Sequence, residues 1–241
     1  KKDEQFFCAA AVVEGHATFV SRIAAGKLGF IGVYNLFLEK HADSSDVFTV
    51  EREQNYLMYE AGSRYAEWVE KKGGKSAVLG ALKNPTGKFA EIICPGREKT
   101  RESGTAEILK RADDAERILL KDEKWKKTGI SANSPVDFWY ELTAAQIPED
   151  VMRKAFCALG ACERRLYSKE NCNISLTIAL FESPKPAAEF ADKVKVHLRD
   201  GRALADAIES YVYYISLLKG KPSDADIQAI LTRVIKEAVS H

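Results

Sequence analysis

The sequence predicts an α+β protein: a mainly helical N-terminal half followed by a small sheet with helices on one face. Three observations lead there. Apolar residues recur at helical spacing from Phe6 to Val69, β-branched and aromatic runs gather only after Arg164, and glycines and prolines punctuate the segments between them.

Taken in order, Phe6, Ala9, Ala10, Val13, Ala17, Val20 and Ile23 form the stripe of a first helix that ends near Gly26, Gly29 and Gly32. A short second helix follows over Ile31 to Glu39. Val50 to Lys72 carries Tyr56, Met58, Tyr59, Tyr65, Trp68 and Val69 at helical spacing and stops at Gly73-Gly74. Ser76 caps a helix through Leu82, Asn84-Pro85-Thr86-Gly87 makes a turn, and Pro95-Gly96 closes the element from Phe89 to Cys94. Between Arg97 and Asn133 charged residues dominate, which reads as a solvated helix and a linker. The boundary is therefore placed near residue 125, giving a helical subdomain over 1–125 and an α+β subdomain over 126–241.

In the second subdomain Glu149 to Leu159 is helical, and Arg164 to Lys169 and Ile174 to Phe181 form a hairpin across the polar turn Glu170-Asn171-Cys172-Asn173. Pro184 and Pro186 open a helix whose buried stripe is Ala187, Phe190, Ala191, Val194 and Leu198, ended by Gly201. Tyr211 to Leu218 makes a third strand, and Pro222-Ser223-Asp224 opens a last helix through Val239. The order ββαβα implies a sheet with its helices on one side.

Composition excludes several functions. Among the 241 residues, 36 Lys and Arg against 35 Asp and Glu leave a net charge of +1, too small a field to grip nucleic acid or an anionic membrane. No apolar run reaches the roughly 18 residues of a bilayer span. The richest stretch, Phe6 to Val20, is broken by Glu14 and His16, so no membrane span is expected. The opening Lys1-Lys2-Asp3-Glu4 fits a chain from which a signal or a longer N-terminal region has been removed. The five cysteines, Cys8, Cys94, Cys157, Cys162 and Cys172, contain no CxxC pair and read as buried thiols. The alternative is one disulfide between Cys162 and Cys172, which would favour an oxidising compartment. The four histidines, His16, His41, His197 and His241, are too scattered to hold a metal by themselves.

Glu14 is the most informative residue. It sits inside the first apolar helix with Ala10 and Ala11 one turn before it and Ala17 and Thr18 one turn after, a small-residue face that invites something bulky opposite. A buried carboxylate needs a partner, either a basic side chain or a metal. Gly15 beside it, costing roughly 1 kcal/mol in a helix interior relative to Ala, implies a close approach by another backbone or side chain. His16 points away from Glu14 and reads either as a core-edge histidine or as a supporting group.

The run Ala11-Val12-Val13-Glu14-Gly15-His16-Ala17-Thr18 resembles the A-L-V-E-G-D/E-A-T helix of a group of bacterial zinc metallopeptidases of the gluzincin type. The likeness continues in order: Tyr59-Glu60-Ala61-Gly62-Ser63-Arg64-Tyr65 with Y-x-x-G-x-x-F, then Gly73-Gly74 with a glycine pair. Asn84-Pro85-Thr86, leading to Glu91-Ile92-Ile93-Cys94-Pro95, is similar to P-P-x-S-T-E-Q-I-L-H-P. The strand Ile174 to Phe181, the helix with Glu189-Phe190-Ala191 and the strand ending Lys219-Gly220-Lys221-Pro222 follow the group's C-terminal layout.

The resemblance implies peptide hydrolysis by a zinc-activated water, with Glu14 as metal ligand and His16 and Thr18 as residues that support it. The family's two histidine ligands and general-base glutamate come from an HExxH helix, and no HExxH occurs in these 241 residues. The chain therefore holds no catalytic residue of its own, and zinc is expected only if HExxH lies upstream of Lys1. His16 replaces the family's acidic residue, Ala90 its glutamate and Cys94 its histidine. Two readings stand: the C-terminal part of such a peptidase, or a catalytically inactive scaffold that binds a peptide or protein partner. Because members of the group are often exported, the resemblance also implies an extracytoplasmic or secreted location.

Other motifs carry less. No GxSxG elbow occurs, and Gly26, Gly29 and Gly32 match no phosphate-binding spacing. Phe138-Trp139-Tyr140 reads as core rather than groove, and Lys121 to Lys127 around Trp125 as a solvated face rather than a site for an acidic partner.

Overall fold

The computed structural model describes residues 2–32, 57–96, 105–121, 124–130, 134–197, 203–220 and 224–239. The expected helix from Ile31 to Glu39 falls almost wholly outside them, as do Tyr56, His41, His241, Leu198, Gly201 and Pro222-Ser223. Two compact units divide at Glu98/Lys99, upstream of the boundary expected near residue 125. The reason lies in the charged stretch after Arg97. Its helix is amphipathic, and Ile108, Ala112, Ala115, Ile118 and Leu119 bury one stripe in the core of the second unit.

The first unit consists of α1 (Lys2–Lys27), a π-helical turn (Leu57–Ala61), α2 (Gly62–Lys83) and α3 (Phe89–Ile93). The stripe expected to be buried on α1 is its outer side: Phe6, Val13, Val20 and Ile23 are 78%, 52%, 48% and 39% exposed. The buried side is Cys8, Ala11, Val12, Gly15 and Thr18. Small residues let α2 approach to backbone contact, and a Cβ at Gly15 would overlap Gly62 and Ser63, while one at Gly62 would overlap Ala11. Close packing against small side chains here wins over the larger ones. The expected helix stop at Gly73-Gly74 appears as a kink within α2, with Gly74 at φ +64°, a left-handed conformation open to glycine. Phe89 of α3 packs edge-on against Phe7 of α1 at 5.7 Å between ring centroids. Cys94, just after α3, is disulfide-bonded, whereas Cys8 is buried and not disulfide-bonded.

Among the described residues one helix, Gln5–Lys27, is long and apolar enough to cross a membrane by length and composition. The interruptions at Glu14 and His16, taken above to exclude a span, do not remove it from that class. Its small-residue face packs on α2, and about a third of its most apolar window is buried.

The second unit contains α4 (Thr105–Leu120), β1 (Lys126–Ile130), α5 (Ser134–Ala144), α6 (Glu149–Ala158), β2 (Leu159–Lys169), β3 (Cys172–Phe181), α7 (Pro184–His197), β4 (Ala203–Ile208), β5 (Tyr211–Lys219) and α8 (Asp224–Val239). The strands form one antiparallel sheet in the order β1-β2-β3-β5-β4. This is the α+β architecture the sequence predicts, with the hairpin β2-β3 turning at Glu170, where φ is +53°. Two strands join the three expected ones, both at the edges. Lys126–Ile130 is polar and exposed, and Ala203–Ile208 is rich in alanine, so neither advertises itself as a strand.

Helices cover both faces of the sheet, not one. On one side α4 and α8 pack through Ile108, Leu119, Ile227 and Val234 onto Tyr167, Ile174, Leu176, Ile178, Tyr213 and Ile215. On the other, Phe138 of α5 lies 5.3 Å from Tyr214 and 6.1 Å from Phe190 of α7, and Phe190 lies 5.6 Å from Phe181. The cause is legible in β3 and β5, whose continuous buried runs leave neither face to solvent. Cys162 and Cys172 lie opposite Ala179 and Lys169 respectively and are not disulfide-bonded, so the disulfide considered between them is not formed. Cys157 of α6 is disulfide-bonded.

Candidate functional site

Glu14, His16 and Thr18 all lie in the middle of α1. Glu14 is half-buried, not enclosed, so its carboxylate keeps access to water and does not require a counter-ion. Among the described residues it makes no ion pair and no side-chain hydrogen bond. Thr18 is buried at 7% exposure, and its hydroxyl donates to the backbone carbonyl of Glu14 at 2.9 Å. That hydroxyl is thus committed to the helix backbone rather than to the carboxylate. His16 is half-buried on another side of the helix, and its Nδ1 is enclosed without a hydrogen-bond partner among the described residues.

The close approach inferred from Gly15 is real, and its partner is the backbone of α2 at Gly62. Beside this crossing lies a polar cluster that the motifs did not single out. Arg22, one turn beyond Thr18, pairs with Glu60 of the π-helical turn and donates to Ser63 Oγ at 3.4 Å. Arg64 reaches the other oxygen of Glu60 at 3.3 Å. The side chains of Arg22, Glu60 and Arg64 are 29%, 24% and 37% exposed, so solvent screens these pairs and each is worth about 0–1 kcal/mol. The cluster orients the turn that delivers Gly62 to α1. Its signal is the i,i+4 pair Glu60 and Arg64, legible only once the crossing is known.

In the segment resembling P-P-x-S-T-E-Q-I-L-H-P, Thr86 donates to Glu91 at 2.5 Å and accepts from the backbone N–H of Lys88 at 3.2 Å. Burial, with the nearby charges of Glu91 and Cys8, pushes the Tyr65 phenol up, so it stays protonated. The polar contacts of Thr86 and Glu91 secure a turn and a short helix.

The densest charge cluster is in the second unit. Arg165 of β2, with 5% of its side chain exposed, meets Glu116 at 2.8 Å, Asp113 at 2.7 Å and Glu163 at 3.3 Å. Tyr167 donates to Glu116 at 3.2 Å and Lys127 pairs with it at 2.8 Å. Burial pushes the Glu116 carboxyl up, but hydrogen bonds from Lys127 and Arg165, with their charges, outweigh it and hold the group below the usual carboxylate range. Burial also lowers Arg165, yet its three carboxylates more than compensate and raise it. On the opposite side of β2, Arg164 donates twice to one oxygen of Glu141, at 2.6 and 2.9 Å. These pairs fasten α4 and α5 to the sheet. Trp125 is buried at 5% exposure, and Lys121 and Lys127 are paired with Glu237 and Glu116.

Among the described residues no group of three or more His, Cys, Asp and Glu side chains could hold a metal ion. Glu14 fits one carboxylate ligand, being half-buried and without a protein partner there; the remaining ligands would have to come from elsewhere. Comparison with protein-family models, with curated proteins and with solved structures gives no match.

Proposed function

We propose that this chain is the C-terminal part of a gluzincin-like zinc metallopeptidase, with Glu14 one of the zinc ligands and HExxH in the sequence before Lys1. The observation that carries the reading is the setting of Glu14. Its carboxylate, without a partner among the described residues, borders the outward side of α1, where Val13 and Val20 stay 52% and 48% exposed. An apolar helix face left to solvent beside such a carboxylate suits a second helix, and the HExxH helix is the one the resemblance supplies. When bound, zinc would activate a water for peptide hydrolysis. The chain's own contribution is positional: the Gly15–Gly62 crossing fixes α1, and the Thr18 hydroxyl ties down the turn that carries Glu14.

Oxidised Cys94 and Cys157 support an extracytoplasmic or secreted placement, because disulfides persist in oxidising compartments. The substrate on this reading is a peptide or protein. A second reading, an inactive scaffold that binds a peptide or protein partner, draws on His16, Ala90 and Cys94 standing where the family pattern has an acid, a glutamate and a histidine.

The test is zinc stoichiometry of the protein expressed from its full reading frame, as purified and as Glu14→Ala. One zinc per chain in the parent and its loss in the variant are expected. A parent with no bound zinc, or a variant that keeps it, overturns the peptidase reading; a zinc-free parent favours the scaffold.

A further inference from the structure

We draw no further inference here: the strongest candidate, the surface groove along α8 formed by Gln228, Thr232, Arg233 and Lys236 beside the buried Nε of Arg233, is lined among the described residues by that one helix alone, and nothing in the structure points to what would fill it.

Discussion

Gly15 of α1 and Gly62 of α2 meet backbone to backbone, leaving no room for a Cβ on either. Alanine at these positions gains about 1 kcal/mol of helix propensity and meets an overlap that typically costs about 1–3 kcal/mol or more. Gly15→Ala and Gly62→Ala are both expected to lower stability, read as the midpoint of urea unfolding. A rise for either would mean the helices do not cross at this distance.

Glu14→Gln should leave stability within about 0.5 kcal/mol of the parent, because the carboxylate is half-exposed and makes no ion pair among the described residues. A loss above about 2 kcal/mol would reveal a buried ionic partner and favour a structural role. Thermal unfolding of the zinc-free protein separates this from any effect on metal.

Arg165 answers three carboxylates with almost no water around it, so Arg165→Ala is expected to cost about 1.5–3 kcal/mol by removing its charged hydrogen bonds, while Glu116 keeps Lys127 and Tyr167. Arg165→Met combined with Glu116→Leu should recover much of that. If the single and double variants unfold at the same denaturant concentration, the pairs are not what joins α4 to β2.

The pH dependence has a definite sign. A carboxyl held below its ordinary value of 4.5, as at Glu116, stabilises the fold fully above that pH and loses the contribution as pH falls through its lower folded value. The melting temperature should therefore drop below about pH 4.5 less steeply in Glu116→Gln than in the parent. Parallel acid limbs would assign the transition to other carboxylates.

Thr177 is fully buried in β3, and its hydroxyl finds no hydrogen-bond partner among the described residues. Thr177→Val keeps the shape and removes the desolvated oxygen, so stability should be unchanged or rise by up to about 1–2 kcal/mol. Destabilisation, measured by calorimetry, would point to a bound water there.

Of the five cysteines, Cys8, Cys162 and Cys172 should react with an alkylating agent in denaturant before reduction, and Cys94 and Cys157 only after it. Mass spectrometry of the peptides decides this. Labelling of all five at the first step would remove the support for an oxidising compartment.

The α+β class, the hairpin at Glu170 and the helix of Ala187, Phe190, Ala191 and Val194 are legible because each rests on a clean period and local turn residues. The side α1 buries is not. With Cys8, Ala11, Val12 and Gly15 on one side and Phe6, Val13 and Val20 on another, the helix is apolar in two directions, and periodicity cannot choose between them. β1 and β4 carry no strand signal because edge strands need no buried face, and α4 reads as solvated because its buried positions are mostly alanines and isoleucines spaced among charges. At the candidate site, Gly15 announced a close contact correctly. Its partner Gly62 and the cluster of Arg22, Glu60 and Ser63 depend on tertiary register, which one chain's spacing does not encode.

The inverted arrangement of α1, small side chains inward and large ones outward, means that part of the helix's transfer free energy is still unrealised. Covering what remains exposed of Phe6, Val13 and Val20 is worth roughly 1–2 kcal/mol apiece. For this helix, water is an unfinished environment. Whatever shields that side gains a driving force already written into the sequence, before any specific contact is made.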